Sequence, residues 1–389
     1  MHRGLAATMP AESLLIFGAS TRAAAFSALR AGLRPWCADL FADIDLRACC
    51  AVVRVPGQDY PRAFAELVKQ APPGPFMYTG ALENRPGLLR RIARTRRVWG
   101  NDADVLRRVR SPQHWHRLLR TARLPAPDIR KAAAELPASG KWLIKPHAGG
   151  SGIGIRFLDA DAHGASERDY LQEYVEGVPC SASYVADGER CRLLGVTRQL
   201  VGEDWLQAAP FRYCGTIGPL QLSAPLRRAY EQIGAVLTSG CGLRGLFGVD
   251  CMLRDDVPWP VEVNPRYCAS MEVLEHASGI KMLALHRMVF EDGALEPGAN
   301  PPGECCVGKA ILFARQSLTF PADGPWLASL RSRGLVHDLP AFADIPQAGE
   351  PIKKGCPILT FFSRAGSRAA CQDCLRETAA ALDHCLFEP

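Results

Sequence analysis

Apolar residues in the first hundred positions come in short runs, at Ser13–Phe17, 36–38, 52–55 and 76–78, and segments of helical spacing separate them at 21–31 and 61–70. Short buried strands alternating with helices predict a doubly wound parallel α/β unit over residues 1–100, closed by a last strand at 97–100. Residues 101–119 read as one helix with Asn101 or Asp102 as N-cap, ended by Pro125-Ala-Pro127. The pattern then becomes richer in strands, with an apolar run ending at Lys145, strands near 170–175, 182–185 and 192–196, a helix over 225–239, and strands at 245–253 and 259–264. Residues 291–304 are polar and rich in Gly and Pro, which reads as a linker. Strand candidates at 310–313 and 357–362 flank a turn-rich stretch and predict a small β-rich C-terminal unit. The expected division is 1–100, 101–292 and 304–389.

Composition narrows the class. The 389 residues are 48% hydrophobic and 22% charged, which suits a globular chain with a sizeable core. A net charge of +6 fits anionic small molecules and gives no argument for nucleic acid. The arginine clusters at 90–97 and 107–110 are interrupted at helical spacing and read as solvated helix faces. No apolar stretch has the length of a membrane span, and residues 1–12 lack the pattern of a signal peptide. With 15 cysteines and no such signal, a reducing, cytoplasmic setting is expected. Cys371 and Cys374, with His384 and Cys385 nearby, fall short of two zinc-type pairs and read as core packing.

Two stretches carry chemistry. The first is Trp142-Leu-Ile-Lys145-Pro-His-Ala-Gly149-Gly150-Ser151-Gly152-Ile-Gly154. Pro146 ends the strand, and the glycines let backbone N–H groups cradle an anion beside the Lys145 charge. No Gly-Lys-Ser/Thr follows, so this is not a Walker A loop; the bland alternative is a glycine-rich hairpin with an incidental lysine. The second is Glu262-Val-Asn264-Pro-Arg266. Residues two apart on a strand share a face, so Glu262 and Asn264 converge. Asp250 joins them if 245–253 and 259–264 form an antiparallel hairpin. Such an oxygen set suits Mg²⁺ shared with phosphates, and Arg266 adds a planar cation. A solvated hairpin with ordinary ion pairs is the alternative. Gly18-Ala19-Ser20 with Asp39 is an incomplete dinucleotide fingerprint, so the first unit is read as a cleft wall.

The order of the Lys145 strand, glycine turn, Gln172-Glu173-Tyr-Val175, Asp250 and Glu262-x-Asn264-Pro-Arg266 resembles the ATP-grasp superfamily, over nearly the whole chain. The C-terminal part, with Gly308-Lys-Ala-Ile-Leu, looks like that of biotin-carboxylase-like members. The resemblance implies an ATP-grasp nucleotide domain between the parallel unit and the β-rich unit. It implies that Lys145 contacts phosphate and adenine, and that residues 149–154 close over the phosphates. Gln172 and the backbone of Glu173 and Val175 would meet the base. Asp250, Glu262 and Asn264 would hold Mg²⁺, with Mn²⁺ as a substitute, and Arg266 would steady the transferred phosphate. Small-molecule carboxylate and amine partners follow, without nucleic acid or membrane, and a homodimer is compatible.

Three departures stand out. Pro112 lies where the family has a phosphate-binding lysine, with Arg108 or Arg110 as substitutes; Cys180 lies where a ribose contact is usual; Ser270 lies where carboxylases carry a glutamate base, with Glu272 and Glu275 further on. The expected activity is carboxylate–amine ligation through an acyl-phosphate, in a coenzyme pathway such as that of tetrahydromethanopterin- and methylofuran-linked one-carbon enzymes. The alternatives are a non-catalytic nucleotide binder and a biotin-carboxylase-type enzyme. Arg198, Arg212, Tyr213, Arg266, Tyr267 and Glu272 are candidate acceptor contacts.

Overall fold

In the computed structural model, residues 12–132, 140–158, 165–293, 295, 305–331, 334 and 336–388 are described. The segment 1–11 and most of the expected linker at 291–304 lie outside them. The first unit holds a four-stranded parallel sheet in the order Ala51–Arg54, Arg34–Asp39, Ser13–Phe17, Phe76–Tyr78. Leu14, Leu15, Ile16 and Phe17 are all fully buried, as the unbroken apolar run requires. The closing strand expected at 97–100 is reduced to a single bridge between Phe76 and Val98.

The single helix expected over 101–119 is two helices, Ala103–Val109 and Pro112–Thr121. Asp102 caps the first, accepting from the N–H groups of Asp104 (2.8 Å) and Val105 (2.9 Å). Pro112 disfavours helical geometry at Ser111 and has no N–H to continue the ladder, so it opens a new helix instead. The break matters because it leaves Arg110 at a corner facing the next region.

A small antiparallel sheet follows, ordered Ile129–Lys131, Asp169–Glu173, Trp142–Pro146, Arg156–Phe157. The largest sheet has eight strands in the order Val257–Asn264, Arg244–Arg254, Val178–Asp187, Cys191–Val201, Tyr213–Gly218, Cys306–Phe313, Pro357–Ala365, Phe342–Ala343. Gly215 pairs with Ala310, so strands beyond residue 304 continue the sheet of the preceding region. The chain ends in a 20-residue helix, Arg368–Phe387, that the sequence pattern did not reveal. It buries Cys371, Leu375, Ala379 and Leu382, while Cys374 and Cys385 are exposed. Among the described residues no group of three or more His, Cys, Asp or Glu is placed to hold a metal. No helix among them is long and apolar enough to cross a membrane.

Candidate functional site

Lys145, next to last on its strand, is almost fully buried, and its Nζ donates to Gln172 Oε1 (2.9 Å) and to the carbonyl of Val261 (3.1 Å). Gln172 Nε2 donates to the same carbonyl (3.3 Å). The small sheet and the hairpin at 244–264 are thereby joined through one backbone oxygen. Glu173 donates its N–H to Asp128 O (2.8 Å) and accepts from Asp128 N at its carboxylate (3.0 Å). Its N–H is therefore engaged within the sheet. Val175 is buried at the end of that segment.

The glycine turn folds over this strand end. Gly152 and Gly154 have φ of +76° and +80°, and Ser151 has +54°. A Cβ on Gly152 would lie 1.8 Å from the carbonyl of Phe211, so no other residue fits while the turn rests on 211–213. Ser151 O accepts from Tyr213 N (3.3 Å), and Phe157 and Phe211 meet at 5.2 Å beside it. Gly149, Gly150 and Gly152 line a cavity with Arg110, Lys145 and Glu262 whose volume is about 30 Å³, enough for a water molecule. Arg110 donates to Glu262 (3.1 Å) and to the carbonyls of His147 (2.9 Å) and Gly149 (3.2 Å). Arg108, the other substitute for the missing lysine, instead donates to Cys241 O (3.0 Å).

The expected hairpin forms, and it sets Asp250 directly opposite Glu262 and Gly248 opposite Asn264. Directly paired residues share a face, so the carboxylates of Asp250 and Glu262 approach each other. Burial, then the charge of Glu262, push the Asp250 carboxyl up to about 6. Asn264 Nδ2 donates to Asp250 Oδ2 (3.0 Å) and Gln199 Nε2 to Asp250 Oδ1 (3.1 Å). The carbonyl oxygen of Asn264 does not face the carboxylates as expected; it accepts from Arg266 Nη2 (3.2 Å). Arg266 also donates through Nε to Glu83 (2.8 Å), a buried carboxylate from the first unit. Burial alone would lower the Arg266 pKa, but Glu83 reverses the sign and keeps the guanidinium charged.

Glu83 and Gln199 were missed in the sequence. Gln199 stands on Cys191–Val201, one strand beyond the neighbour of the hairpin, and nothing in its local pattern marks it. Of the acceptor candidates, Glu272 and Tyr267 prove internal. Glu272 is held by Arg22 and by Lys309 (2.7 Å), and Tyr267 donates to Glu275 (3.2 Å). Arg198 donates to Gln372 (3.2 Å) on the last helix, and Arg212 lies over Phe313. Tyr213 keeps a buried hydroxyl with no hydrogen-bond partner among the described residues. Asp39, the ribose candidate, accepts from Thr21 at N (3.0 Å) and Oγ1 (2.7 Å) and from Phe41 (3.1 Å) and Ala42 (2.7 Å). All its capacity goes into Thr21 and the turn at 39–42. Ser270, in place of a carboxylase base, lies 3.4 and 3.2 Å from the hydroxyls of Ser181 and Ser183.

Residues 113–270 match the family model described as the ATP-grasp domain. The chain is 24% identical over 220 residues to the 3-methyl-D-ornithine–L-lysine ligase of Methanosarcina barkeri, covering 56% of each protein. It spans about half the length of the curated relatives it matches. Among solved structures, the L-amino acid ligase of Bacillus licheniformis superposes with a TM-score of 0.70 at 17% identity, over 95% of this chain and 97% of that one. The biotin carboxylase of Campylobacter jejuni, solved as a beta-gamma-ATP complex, gives 0.69 at 13% identity, over 94% and 90%. At those identities the superpositions establish the fold.

Proposed function

We propose, for a chain whose residues 113–270 match the ATP-grasp domain model, that it is an ATP- and Mg²⁺-dependent ligase joining a carboxylate to an amine through an acyl-phosphate. The single observation that carries this reading is the opposed pair of Asp250 and Glu262, with Lys145 and Arg266 at its two ends. Two facing carboxylates, one with its pKa raised by burial and by its neighbour, form a donor set that a divalent cation stabilises. Asp250 and Glu262 would hold Mg²⁺, with Asn264 adding its oxygen once Arg266 turns to a phosphate. The ion supplies charge neutralisation for phosphoryl transfer when bound.

The protein's own groups do the rest. Lys145 offsets phosphate charge, and Gln172 accepts from an adenine amino group. The turn 149–154 excludes water that would hydrolyse an acyl-phosphate. Because the cavity is about 30 Å³, nucleotide entry requires the turn to lift from Phe211 and Arg110 to release the carbonyls of His147 and Gly149. Arg110 then takes the part of the absent lysine. Tyr213, with its unpartnered hydroxyl, is the acceptor contact best supported by its surroundings. Both relatives named as ligases act on amino acids by name, which favours an amino or carboxylic acid substrate for this chain too.

A second reading has one observation in its favour. The Arg110–Glu262 pair closes the site, as a non-catalytic nucleotide binder would tolerate. Incubation with Mg-ATP, a carboxylic acid panel and hydroxylamine separates the two. The ligase yields ADP and a hydroxamate, and Lys145→Ala loses both; ATP binding without either product leaves the binder. The carboxylase reading is weakened by the hydroxyl cluster at Ser270, which offers no base.

A further inference from the structure

A second concavity lies behind the segment that carries Glu83. Its volume is about 670 Å³, and Gln58, Tyr60, Arg62, Asn84, Arg85 and Arg91 are in its lining. Three of the lining residues are arginines and none is acidic. Among the described residues these three guanidinium groups form no ion pair. The contrast is the cleft of about 540 Å³ between helices Ala103–Val109 and Pro112–Thr121. There the lining includes a carboxylate, Asp104, which pairs with Arg107, and Arg108 donates to a carbonyl, so part of its positive charge is compensated from within.

Three like charges around one hollow repel one another, and its walls focus their field outward, so the arrangement is stabilised by an incoming anion. Arginine is the side chain whose planar fork matches carboxylate and phosphate oxygens in pairs. The hollow is also next to the proposed reaction site. The Tyr60 hydroxyl donates to Gly80 O (3.4 Å), and a Cβ on Gly80 would lie 3.7 Å from the Arg266 guanidinium. Glu83 meets Arg266 on one side of this segment, and Arg85, two residues on, faces the hollow on the other. Two residues span at most about 7 Å of backbone.

We infer that the Arg62/Arg85/Arg91 hollow binds a second oxyanion group, carboxylate or phosphate, of the acid or amine that reacts beside Arg266. The substrate is then a small molecule with an anionic group a few bonds from its reacting end, not a simple monofunctional one. This rests on the ligase reading, but its test does not. Citrate and inorganic phosphate are titrated calorimetrically into the whole protein holding saturating Mg-ADP, which occupies the nucleotide site. The same titrations are made on the Arg85→Gln/Arg91→Gln double variant and on Arg85→Lys/Arg91→Lys.

Wild type binds at least one of the two anions. The glutamine variant binds it about tenfold or more weaker, as loss of charge-assisted hydrogen bonds requires. The lysine variant recovers part of the loss, and Mg-ADP affinity is the same in all three. Preference for citrate or for phosphate tells a carboxylate-bearing substrate from a phosphorylated one. Equal anion affinity in wild type and the glutamine variant overturns the inference. So does binding of heparin, titrated as a control, without binding of citrate or phosphate, since that is a polyanion surface. Absence of Mg-ADP binding in wild type would fail the ligase reading instead, and the anion titration then still reads the hollow by itself.

Discussion

Two of the buried charge clusters among the described residues are built in opposite ways. In the first, Arg22 pairs with Glu272, Asp344 and Asp45, and Lys309 pairs with Glu272. These residues come from the helix Arg22–Arg30, the helix Ile44–Cys49, the helix Ala269–Ser278 and the C-terminal strands, so the cluster ties the first unit to the last. Burial pushes the Glu272 carboxyl up, but Arg22 and Lys309 outweigh it and hold Glu272 well below the usual carboxylate range. Thr360 and the backbone of Asp344 and Ile345 satisfy much of what remains. In the second, Asp250 faces Glu262; Arg110 pairs with Glu262 (3.1 Å), Arg266 is held by Glu83, and Asp250 forms no ion pair among the described residues. The Asp250 carboxyl rises accordingly to about 6. In the first network every carboxylate has a cation; in the second Asp250 is hydrogen-bonded only to neutral groups, which leaves it open to a metal ion.

The comparison breaks most visibly at Glu272. Glu272→Ala leaves Arg22 and Lys309 buried with one partner fewer, and it should cost about 3–5 kcal/mol in chemical denaturation. An unchanged midpoint would mean that the cluster is not structural. Asp250→Asn should act in the opposite direction, stabilising the metal-free protein by on the order of 2 kcal/mol at pH 7. The sign follows from a folded pKa above the unfolded one. The cost of ionising Asp250 is absent below about pH 4, builds towards pH 6 and is full above it. Melting of the metal-free wild type should therefore lose less stability on going from pH 7 to 5 than the variant loses. Parallel pH profiles for the two proteins would remove the distinction between the clusters.

The same contrast explains what could be read in the chain. Lys145, the glycine turn and Glu262-x-Asn264 were legible because each depends on local strand periodicity and on turn chemistry within a few residues. The hairpin follows from two apolar runs and an acidic turn, and it sets Asp250 opposite Glu262. The break at Ser111 follows from Pro112, which disfavours helical geometry at the residue before it and opens the next helix. Glu83 was hidden because its partner Arg266 is 183 residues away, and no local pattern encodes that meeting. Glu272 looked accessible for the same reason, since its captors Arg22 and Lys309 come from distant elements. The last helix was obscured by a sparse apolar stripe of Cys371, Leu375, Ala379 and Leu382. The continuation of the large sheet past residue 304 rests on the pairing of Gly215 with Ala310, a contact of the same long range.

The most direct test of the second cluster is ATP affinity with and without Mg²⁺, measured by calorimetry on wild type and Glu262→Gln. That substitution keeps the side chain's shape and removes one of the two facing charges. Wild type should bind ATP much more tightly with Mg²⁺ than without it. At a hundred times its dissociation constant, Mg-ATP should then add about 2.7 kcal/mol of apparent stability. Glu262→Gln should lose most of this Mg²⁺ dependence while keeping its fold. Equal dependence on Mg²⁺ in both proteins would contradict the account, because the facing carboxylates would then not be the metal site.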